Sequence, residues 1–232
     1  MASSISAPTA EGKAKPTTYF GYGSNLWLHQ MALRCPTSKY LGVARLKGYR
    51  WIINARGYAN IVEVEDSDTE NNYTNYEDKE SEGKNDDDDN DDEKKYSKVV
   101  FGLVYALQAK DEAKLDVNEG VPEAYTKEYL ECEFWAAGKD VCVPRSMLVY
   151  IDRKRVEEST PKKEYVVRMN HGIKDAVSLG VPEGYVKAVM RRFIPEPEEE
   201  AERVAGRDPG VKGRSEVEEA ALRQAVRFVD EN

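Results

Sequence analysis

The chain has 232 residues, enough for one domain with a sizeable core. Its net charge of −9 comes from residues 65–95, where 15 acidic residues and 4 lysines sum to −11 and leave about +2 for the rest. No basic stripe with interleaved aromatic residues appears and no run of about 18 apolar residues occurs, so we expect neither a nucleic-acid partner nor a membrane partner.

The N-terminus and the cysteines indicate the cellular setting. Residues 1–16 are polar, so we expect a disordered tail. They lack the apolar segment of a secretory signal, so we do not expect them to direct secretion. Cys35, Cys132 and Cys142 form no CxxC pair and are odd in number, which favours reduced, structural thiols. We therefore expect a cytoplasmic protein.

Residues 17–64 alternate strand-like and turn-like segments, in the order TTYFGY, YLGVARLKGYRWIIN and YANIVEVE. Residues 65–95 follow as an acidic, low-complexity run that is almost free of aliphatic side chains. Because burial cannot offset the entropy lost on ordering such a run, we expect a solvated surface loop. An acidic arm that binds a basic partner is the alternative.

Residues 96–195 resume the folded part. The run KVVFGLVYAL predicts a buried strand, and KDEAKLDVNEG predicts a short helix that Asp111 caps and Gly120 ends. EYLECEFWAA and DVCVPRSMLVYI, joined by Gly138-Lys139, predict a β-hairpin. The segment after the hairpin predicts two helices, separated at Gly180-Val181-Pro182.

Residues 196–232 read as a C-terminal extension. Its first part is polar and loop-like, and SEVEEAALRQAVRFV predicts an amphipathic helix at about 215–229, with Ser215 and Glu218 as a reciprocal N-terminal cap. The whole pattern predicts an α+β fold: a small mixed, mostly antiparallel β-barrel with flanking helices, interrupted by the acidic insertion between two strands.

The loop FGYGSNL after the first strand is a candidate binding site. Gly21 and Gly23 permit backbone conformations closed to other residues, and Ser24 and Asn25 can turn the chain. Such a loop can aim successive N–H groups at a carboxylate or an oxyanion, and a helix beginning near Leu26 would add a favourable dipole. An ordinary strand-to-helix turn is the alternative, and no Gly-Lys-Ser/Thr follows to make a P-loop.

Glu119, in LDVNEGV, is the candidate acid–base residue. The C-terminal dipole of the predicted helix disfavours its charge, and an apolar surround would do the same, so its pKa could rise toward that of a useful base. A solvated surface carboxylate is the alternative when the residue is considered alone. Asp116 lies one turn earlier and could share this face or point to solvent.

Taken together and in this order, these segments resemble the γ-glutamylcyclotransferase family. The resemblance covers roughly residues 18–195 and includes the helical segment KEYVVRMNHGIKDAVSLGVP. It rests further on YGSNL at Tyr22 to Leu26, VARL at Val43 to Leu46, ANI at Ala59 to Ile61, VFGLVYAL at Val100 to Leu107, and LDVNEGV at Leu115 to Val121.

The resemblance implies functional residues. Glu119 would be catalytic and Tyr165 would line the pocket. A further family tyrosine, after an R-S/T pair in the hairpin, is replaced here by Met147, with Tyr150 three residues on. The acidic insertion also departs from the family, in which that connection is short. Substrate would be held by the glycine loop, namely Tyr22, Gly23, Ser24, Asn25 and Leu26.

The implied reaction is an intramolecular aminolysis that forms 5-oxoproline and releases an amine, with no metal and no cofactor. The leaving group stays open: an amino acid, Cys-Gly, the remnant of a glutathione conjugate, or the amine of a γ-glutamylamine. The oligomeric state also stays open. The alternative of another class is a non-catalytic binding protein that uses the cavity or the acidic loop, and the presence of Glu119 argues against it.

The remaining conspicuous side chains are predicted to be structural. His29 and His171 are far apart in sequence, which argues against a metal site of histidine and cysteine. Cys35 precedes a proline and is expected to be a small buried group. Trp51 and Trp135 lie in strand-like runs and are expected in the core.

Overall fold

The computed structural model describes residues 15–64, 88–197 and 215–226. The predicted tail up to residue 14, most of the acidic insertion and the first part of the C-terminal extension lie outside these described residues. The strands are β1 (Thr17–Gly21), β2 (Lys39–Lys47), β3 (Tyr49–Ile53), β4 (Ala59–Glu63), β5 (Val99–Leu107), β6 (Thr126–Ala136) and β7 (Cys142–Ile151).

Helices flank the strands. A 3₁₀ turn at Ser24–Leu26 precedes the first helix, and a π-helical turn at Val186–Met190 continues the fifth. Among the described residues, none of the helices has the length and apolar character needed to cross a membrane. The helices are α1 (Leu28–Arg34), α2 (Asp88–Tyr96), α3 (Ala109–Asn118), α4 (Lys163–Ser178), α5 (Glu183–Tyr185) and α6 (Glu216–Val226).

Five strands close into a barrel in the order β1-β5-β2-β6-β7. All neighbours are antiparallel except β1 and β7, which pair in parallel at Tyr19 and Leu148. Strands β3 and β4 form a separate antiparallel hairpin. Apolar side chains of the barrel, such as Phe20, Leu103 and Leu148, are fully buried, as the β-branched and aromatic runs of the sequence predict. The predicted fold class is therefore confirmed.

Helix α3 starts earlier than the sequence indicated. Gln108 is its N-cap residue, so the predicted capping role of Asp111 is wrong. Asp111 is buried, and its Oδ2 accepts hydrogen bonds from the Thr37 N–H (3.1 Å) and from the Thr37 hydroxyl (2.5 Å). The carboxylate thus fastens the connection between α1 and β2 to α3.

The acidic insertion ends in helix rather than in loop. Helix α2 covers the stretch from Asp88 to Tyr96, within which residues 88–95 were expected to be a loop. Tyr96 is buried and makes edge-to-face contacts with Phe101 (6.2 Å between ring centroids) and Tyr185 (5.7 Å). This aromatic anchor supplies apolar burial that the acidic residues lack, which accounts for the helix.

Helix α6 begins with the reciprocal cap expected from the sequence. The Ser215 N–H donates to Glu218 Oε2 (2.8 Å), and the Glu218 N–H donates to Ser215 Oγ (3.2 Å). Ala221 and Ala225 are buried where α6 packs against α1 and α4. The C-terminal helix is therefore docked on the two helices that also carry buried arginines of the candidate site.

Candidate active site

A cavity opens beside the loop that follows β1. It encloses about 500 Å³ when the space in its open mouth is counted. Its wall combines tyrosines with a carboxylate and two arginines. The lining residues are Tyr19, Tyr22, Gly23, Ser24, Asn25, Arg34, Tyr58, Ala59, Asn118, Glu119, Tyr125, Tyr150, Tyr165 and Arg168.

The glycine loop folds into the 3₁₀ turn because two N–H groups bond back onto it. The Leu26 N–H donates to Gly23 O (2.9 Å), and the Trp27 N–H donates to Ser24 O (3.0 Å). A Cβ atom at Gly23 would lie 2.9 Å from Tyr165 Oη and 3.2 Å from Ala59 Cβ. Glycine is thus required at position 23 because α4 and β4 approach the loop closely there.

The structure brings all the predicted site residues to the cavity except Leu26. The Leu26 side chain is fully buried, and its N–H is already bonded within the turn. A Cβ atom at Gly172 of α4 would lie only 3.0 Å from Leu26 Cβ. Leu26 therefore does not line the cavity, because the turn directs this residue toward α4 and the core, and its contact with substrate stays a prediction.

Glu119 occupies the C-cap position of α3, where its N–H donates to Leu115 O (2.8 Å). Gly120 follows with a φ of 64°, which turns the chain away and leaves the carboxylate facing the cavity. Asn25 Nδ2 donates to Glu119 Oε1 (3.1 Å). No donor among the described residues reaches Oε2. One carboxylate oxygen is thus anchored while the other is open to a ligand.

Burial and charge act against each other at Glu119. Desolvation raises the pKa of Glu119 and is the largest effect. The charge of Arg34, the hydrogen bond from Asn25 and the charges of Arg168 and Arg56 lower it in decreasing order, and the pKa remains raised overall. A carboxylate with a raised pKa in a cavity is suited to accept and return a proton.

Asn25 is held so that its amide nitrogen faces the carboxylate. Its Oδ1 accepts from Gln30 Nε2 (2.8 Å) and from Arg34 Nη1 (3.3 Å), which fixes the orientation of the amide. Its Nδ2 then donates both to Glu119 Oε1 and to Tyr19 Oη (2.9 Å). The loop therefore positions the carboxylate through a side chain as well as lining the cavity.

Two buried arginines, which sequence reasoning missed, support the loop. Arg168 of α4 donates to Ser24 Oγ (2.9 Å) and pairs with Glu164 (2.7 Å). Arg34 of α1 lies next to Asn25, and burial, followed by the charge of Arg168, lowers the pKa of Arg34 to about 10. The spacing of Glu164 and Arg168 is that of an ordinary surface pair on a helix, so nothing local indicated burial.

The tyrosines of the wall differ in what their hydroxyl groups do. Three of them donate within the protein: Tyr22 to Tyr150 O (2.6 Å), Tyr125 to Ala59 O (2.9 Å), and Tyr150 to Asp116 Oδ1 (2.6 Å). Asp116 is not among the residues that line the cavity, and it also pairs with Lys127 (3.0 Å).

Tyr165 is arranged differently. Its oxygen accepts from the N–H groups of Ser24 and Ala59, both at 3.2 Å. Within the described parts of the chain no acceptor receives its own hydrogen, which is thus available to a ligand. Burial raises the pKa of Tyr165 to about 12, so the hydroxyl keeps its proton at neutral pH.

The hairpin β6–β7 supplies a tyrosine despite the departure at Met147. Met147 is fully buried in the core, whereas Tyr150 reaches the cavity. Sequence reasoning noted Tyr150 without assigning it a role, and it missed Tyr19, Tyr58 and Tyr125 as lining residues. Tyr19 and Tyr150 lie in β1 and β7, the two strands whose parallel pairing closes the barrel. That pairing follows from the strand register and could not be inferred from the sequence pattern.

Comparison with known proteins gives a likeness in fold. No protein-family model and no curated protein matches the chain. The structure of a γ-glutamyl cyclotransferase is 17% identical, with a TM-score of 0.56, over 90% of this chain and 99% of that one. The structure of an uncharacterized protein from Homo sapiens is 19% identical, with a TM-score of 0.54, over 83% of this chain and 99% of that one. The chain therefore has the γ-glutamylcyclotransferase-like fold that the sequence resemblance implied.

Proposed function

We propose that the protein is a γ-glutamylcyclotransferase that converts a small γ-glutamyl amide to 5-oxoproline and a free amine. The observation that carries this proposal is Glu119, a carboxylate with a raised pKa that faces a tyrosine-lined cavity and is held by Asn25 of the glycine loop. The fold shared with a γ-glutamyl cyclotransferase supports it.

Glu119 is the general acid and base in this proposal. The α-amine of the substrate is an ammonium at neutral pH and cannot attack until it loses a proton. The open Oε2 of Glu119 accepts that proton, the amine attacks the γ-carbonyl, and the amide C–N bond breaks. Glu119 then returns the proton to the leaving nitrogen, and the attacking nitrogen gives up its second proton by the same route, so that the products are the neutral lactam and an ammonium and no water is consumed.

Tyr165 stabilises the oxyanion of the tetrahedral intermediate in this proposal. Its hydrogen is available to the cavity, while two backbone N–H groups donate to its oxygen and thereby strengthen it as a donor. The Ser24 N–H is bonded to this hydroxyl, and the Leu26 N–H is bonded within the turn. Among the described residues the N–H groups of Gly23 and Asn25 have no protein acceptor, and we assign to them the α-carboxylate of the substrate.

The test is detection of 5-oxoproline by mass spectrometry after incubation with γ-Glu-Ala, glutathione and a bulky glutathione S-conjugate in separate reactions. We expect product from at least one substrate, and a fall in turnover of at least about 100-fold in Glu119→Gln, which keeps the shape and removes the base. Glu123→Gln is the matched control, because it makes the same change on a side chain that is 88% exposed.

Either of two results would contradict the proposal. Near-normal turnover in a folded Glu119→Gln variant would remove Glu119 from the mechanism. No 5-oxoproline from any substrate would favour a non-catalytic binding protein. Thermal stabilisation by 5-oxoproline or γ-glutamyl dipeptides would then separate a protein that binds such ligands in the cavity from one that is stabilised only by basic proteins.

A further inference from the structure

Helix α6, which lies beyond the part of the sequence that resembles the family, reaches the candidate site through one residue. Arg34 Nε donates to Ala225 O (3.0 Å), and Arg34 Nη2 donates to Gln224 O (2.7 Å). Both acceptors are backbone carbonyls of α6, which is described as far as Val226. Helix α6 thus binds a guanidinium that is itself buried.

The third guanidinium nitrogen of Arg34 faces the glycine loop. Its Nη1 donates to Asn25 Oδ1 (3.3 Å), and Asn25 Nδ2 donates to Glu119 Oε1 (3.1 Å). A continuous set of hydrogen bonds therefore runs from the carbonyls of α6 through Arg34 and Asn25 to the carboxylate. A guanidinium is a planar fork, so fixing two of its nitrogens fixes the direction of the third.

We propose that Arg34 is a positioning residue for Glu119 and that helix α6 holds it in place, so that the C-terminal helix is a required part of the active site. This inference rests on the proposed function of Glu119. It adds that helix α6, which lies outside the barrel, determines how the proposed base Glu119 is positioned.

The groups that face Glu119 come from several elements. The cations are Arg34 from α1, Arg168 from α4 and Arg56 from the β3–β4 connection. The phenols that sense its charge, including those of Tyr19 and Tyr125, have raised pKa values and stay neutral. Arg34 has the largest effect among the cations in lowering the pKa of Glu119. Loss of its hold on the loop should therefore raise the pKa of Glu119 and move the acid limb of the kcat/KM pH profile to higher pH.

The experiment uses the full chain and detaches α6 from its buried face. Ala221→Arg combined with Ala225→Arg places two long charged side chains where only small ones fit. The matched control, Val217→Arg with Val226→Arg, adds the same charge at positions of α6 that are 36% and 56% exposed. Amide hydrogen exchange over residues 216–226 reports whether the helix has detached.

We expect the buried-face variant to lose about 10- to 100-fold in kcat/KM through misplacement of the base, with its acid limb at higher pH, and the control to behave as the wild type. Arg34→Met should show the same shift of the limb, and Arg34→Lys, which keeps the charge, a smaller one. Detached α6 with unchanged kcat/KM and an unchanged limb would overturn the proposal. An unshifted limb in Arg34→Met would do so as well, even if the double variant failed to fold.

A readout without turnover separates this inference from the proposed function. The Glu119 carboxyl is titrated by ¹³C NMR in the wild type, Arg34→Met and the buried-face variant, and Glu119→Gln assigns its signal. A raised pKa in both variants supports the coupling, and an unchanged pKa with α6 detached overturns it. Absence of 5-oxoproline from the wild type would refute the proposed function alone.

Discussion

Replacing Tyr165 by Phe removes one oxygen atom that serves two purposes. In the folded protein this oxygen accepts hydrogen bonds from the N–H groups of Ser24 and Ala59, each at 3.2 Å. Its hydrogen is the proposed donor to the oxyanion. The substitution should therefore lower both stability and turnover, and the two losses can be measured separately.

The loss of stability follows from the two stranded N–H groups. An unsatisfied buried donor costs about 1–3 kcal/mol. Because the Tyr165 hydroxyl lines an open cavity, water can hydrate the two N–H groups in part once the hydroxyl is removed. We therefore expect the free energy of unfolding to fall by about 2 kcal/mol in total. For a chain of this size that corresponds to a fall in Tm of roughly 4–8 °C. Thermal unfolding followed by circular dichroism measures it.

The loss of turnover follows from the missing donor. Removing one oxyanion donor lowers kcat by about 100- to 1,000-fold in enzymes that use such a site. The matched comparison is Tyr125→Phe, since Tyr125 lines the same cavity and also bonds to Ala59, but donates its hydrogen to the carbonyl (2.9 Å). Removing the Tyr125 hydroxyl should lower the free energy of unfolding by about 1 kcal/mol, and it should lower turnover far less than removing the Tyr165 hydroxyl does.

The reasoning about the oxyanion would be refuted by a folded Tyr165→Phe variant with near-wild-type kcat. It would equally be refuted if Tyr125→Phe lost as much turnover as Tyr165→Phe, because the orientation of the hydroxyl hydrogen would then make no difference. A rise in KM with unchanged kcat would show that Tyr165 binds the ground state and the transition state equally and does not act on the oxyanion specifically.

Two further predictions concern the carboxylate and the loop. The folded-state pKa of Glu119 is raised, so its contribution to stability is present below the unfolded pKa and is lost as pH rises through the folded pKa. Glu119→Gln should therefore be more stable than the wild type at pH 8, and the gap in urea unfolding should close toward about pH 4; a less stable variant at pH 8 would contradict this. Gly172→Ala places a Cβ atom 3.0 Å from Leu26 Cβ, and we expect a loss of about 1–3 kcal/mol, accompanied by lower turnover because the loop shifts. Unchanged thermal unfolding would show that the helix and loop can separate without cost.

The barrel strands and the site loop could be predicted from sequence because their signals are local. The β-branched run of β5 and the glycines of YGSNL each reflect the conformation of their own residues. The helix that carries Glu119 was expected for the same reason, with Gly120 at its end. These features bring the carboxylate and the loop into one cavity once the barrel is closed.

The rest depended on contacts between distant segments. Arg34 bonds to α6, and Arg168 bonds to Ser24. In each case the partner lies far from the arginine in sequence, so the burial of the two arginines could not be predicted locally. Asp111 looked like a helix cap because its partner, Thr37, lies in the distant connection between α1 and β2. Leu26 was expected at the substrate because the loop was treated as uniform, whereas the 3₁₀ turn directs successive residues in different directions.

The way the barrel closes has a consequence for how the protein reaches its native state. The parallel pair of β1 and β7 joins the first strand of the barrel to the last one in sequence. Contacts between such distant segments carry a large entropy cost of loop closure and form slowly. The glycine loop follows β1 directly, and Tyr22 is tied to Tyr150 of β7. During synthesis the site therefore cannot assemble until β7, and after it α4 and α6, have emerged, so that the proposed activity would report completion of folding.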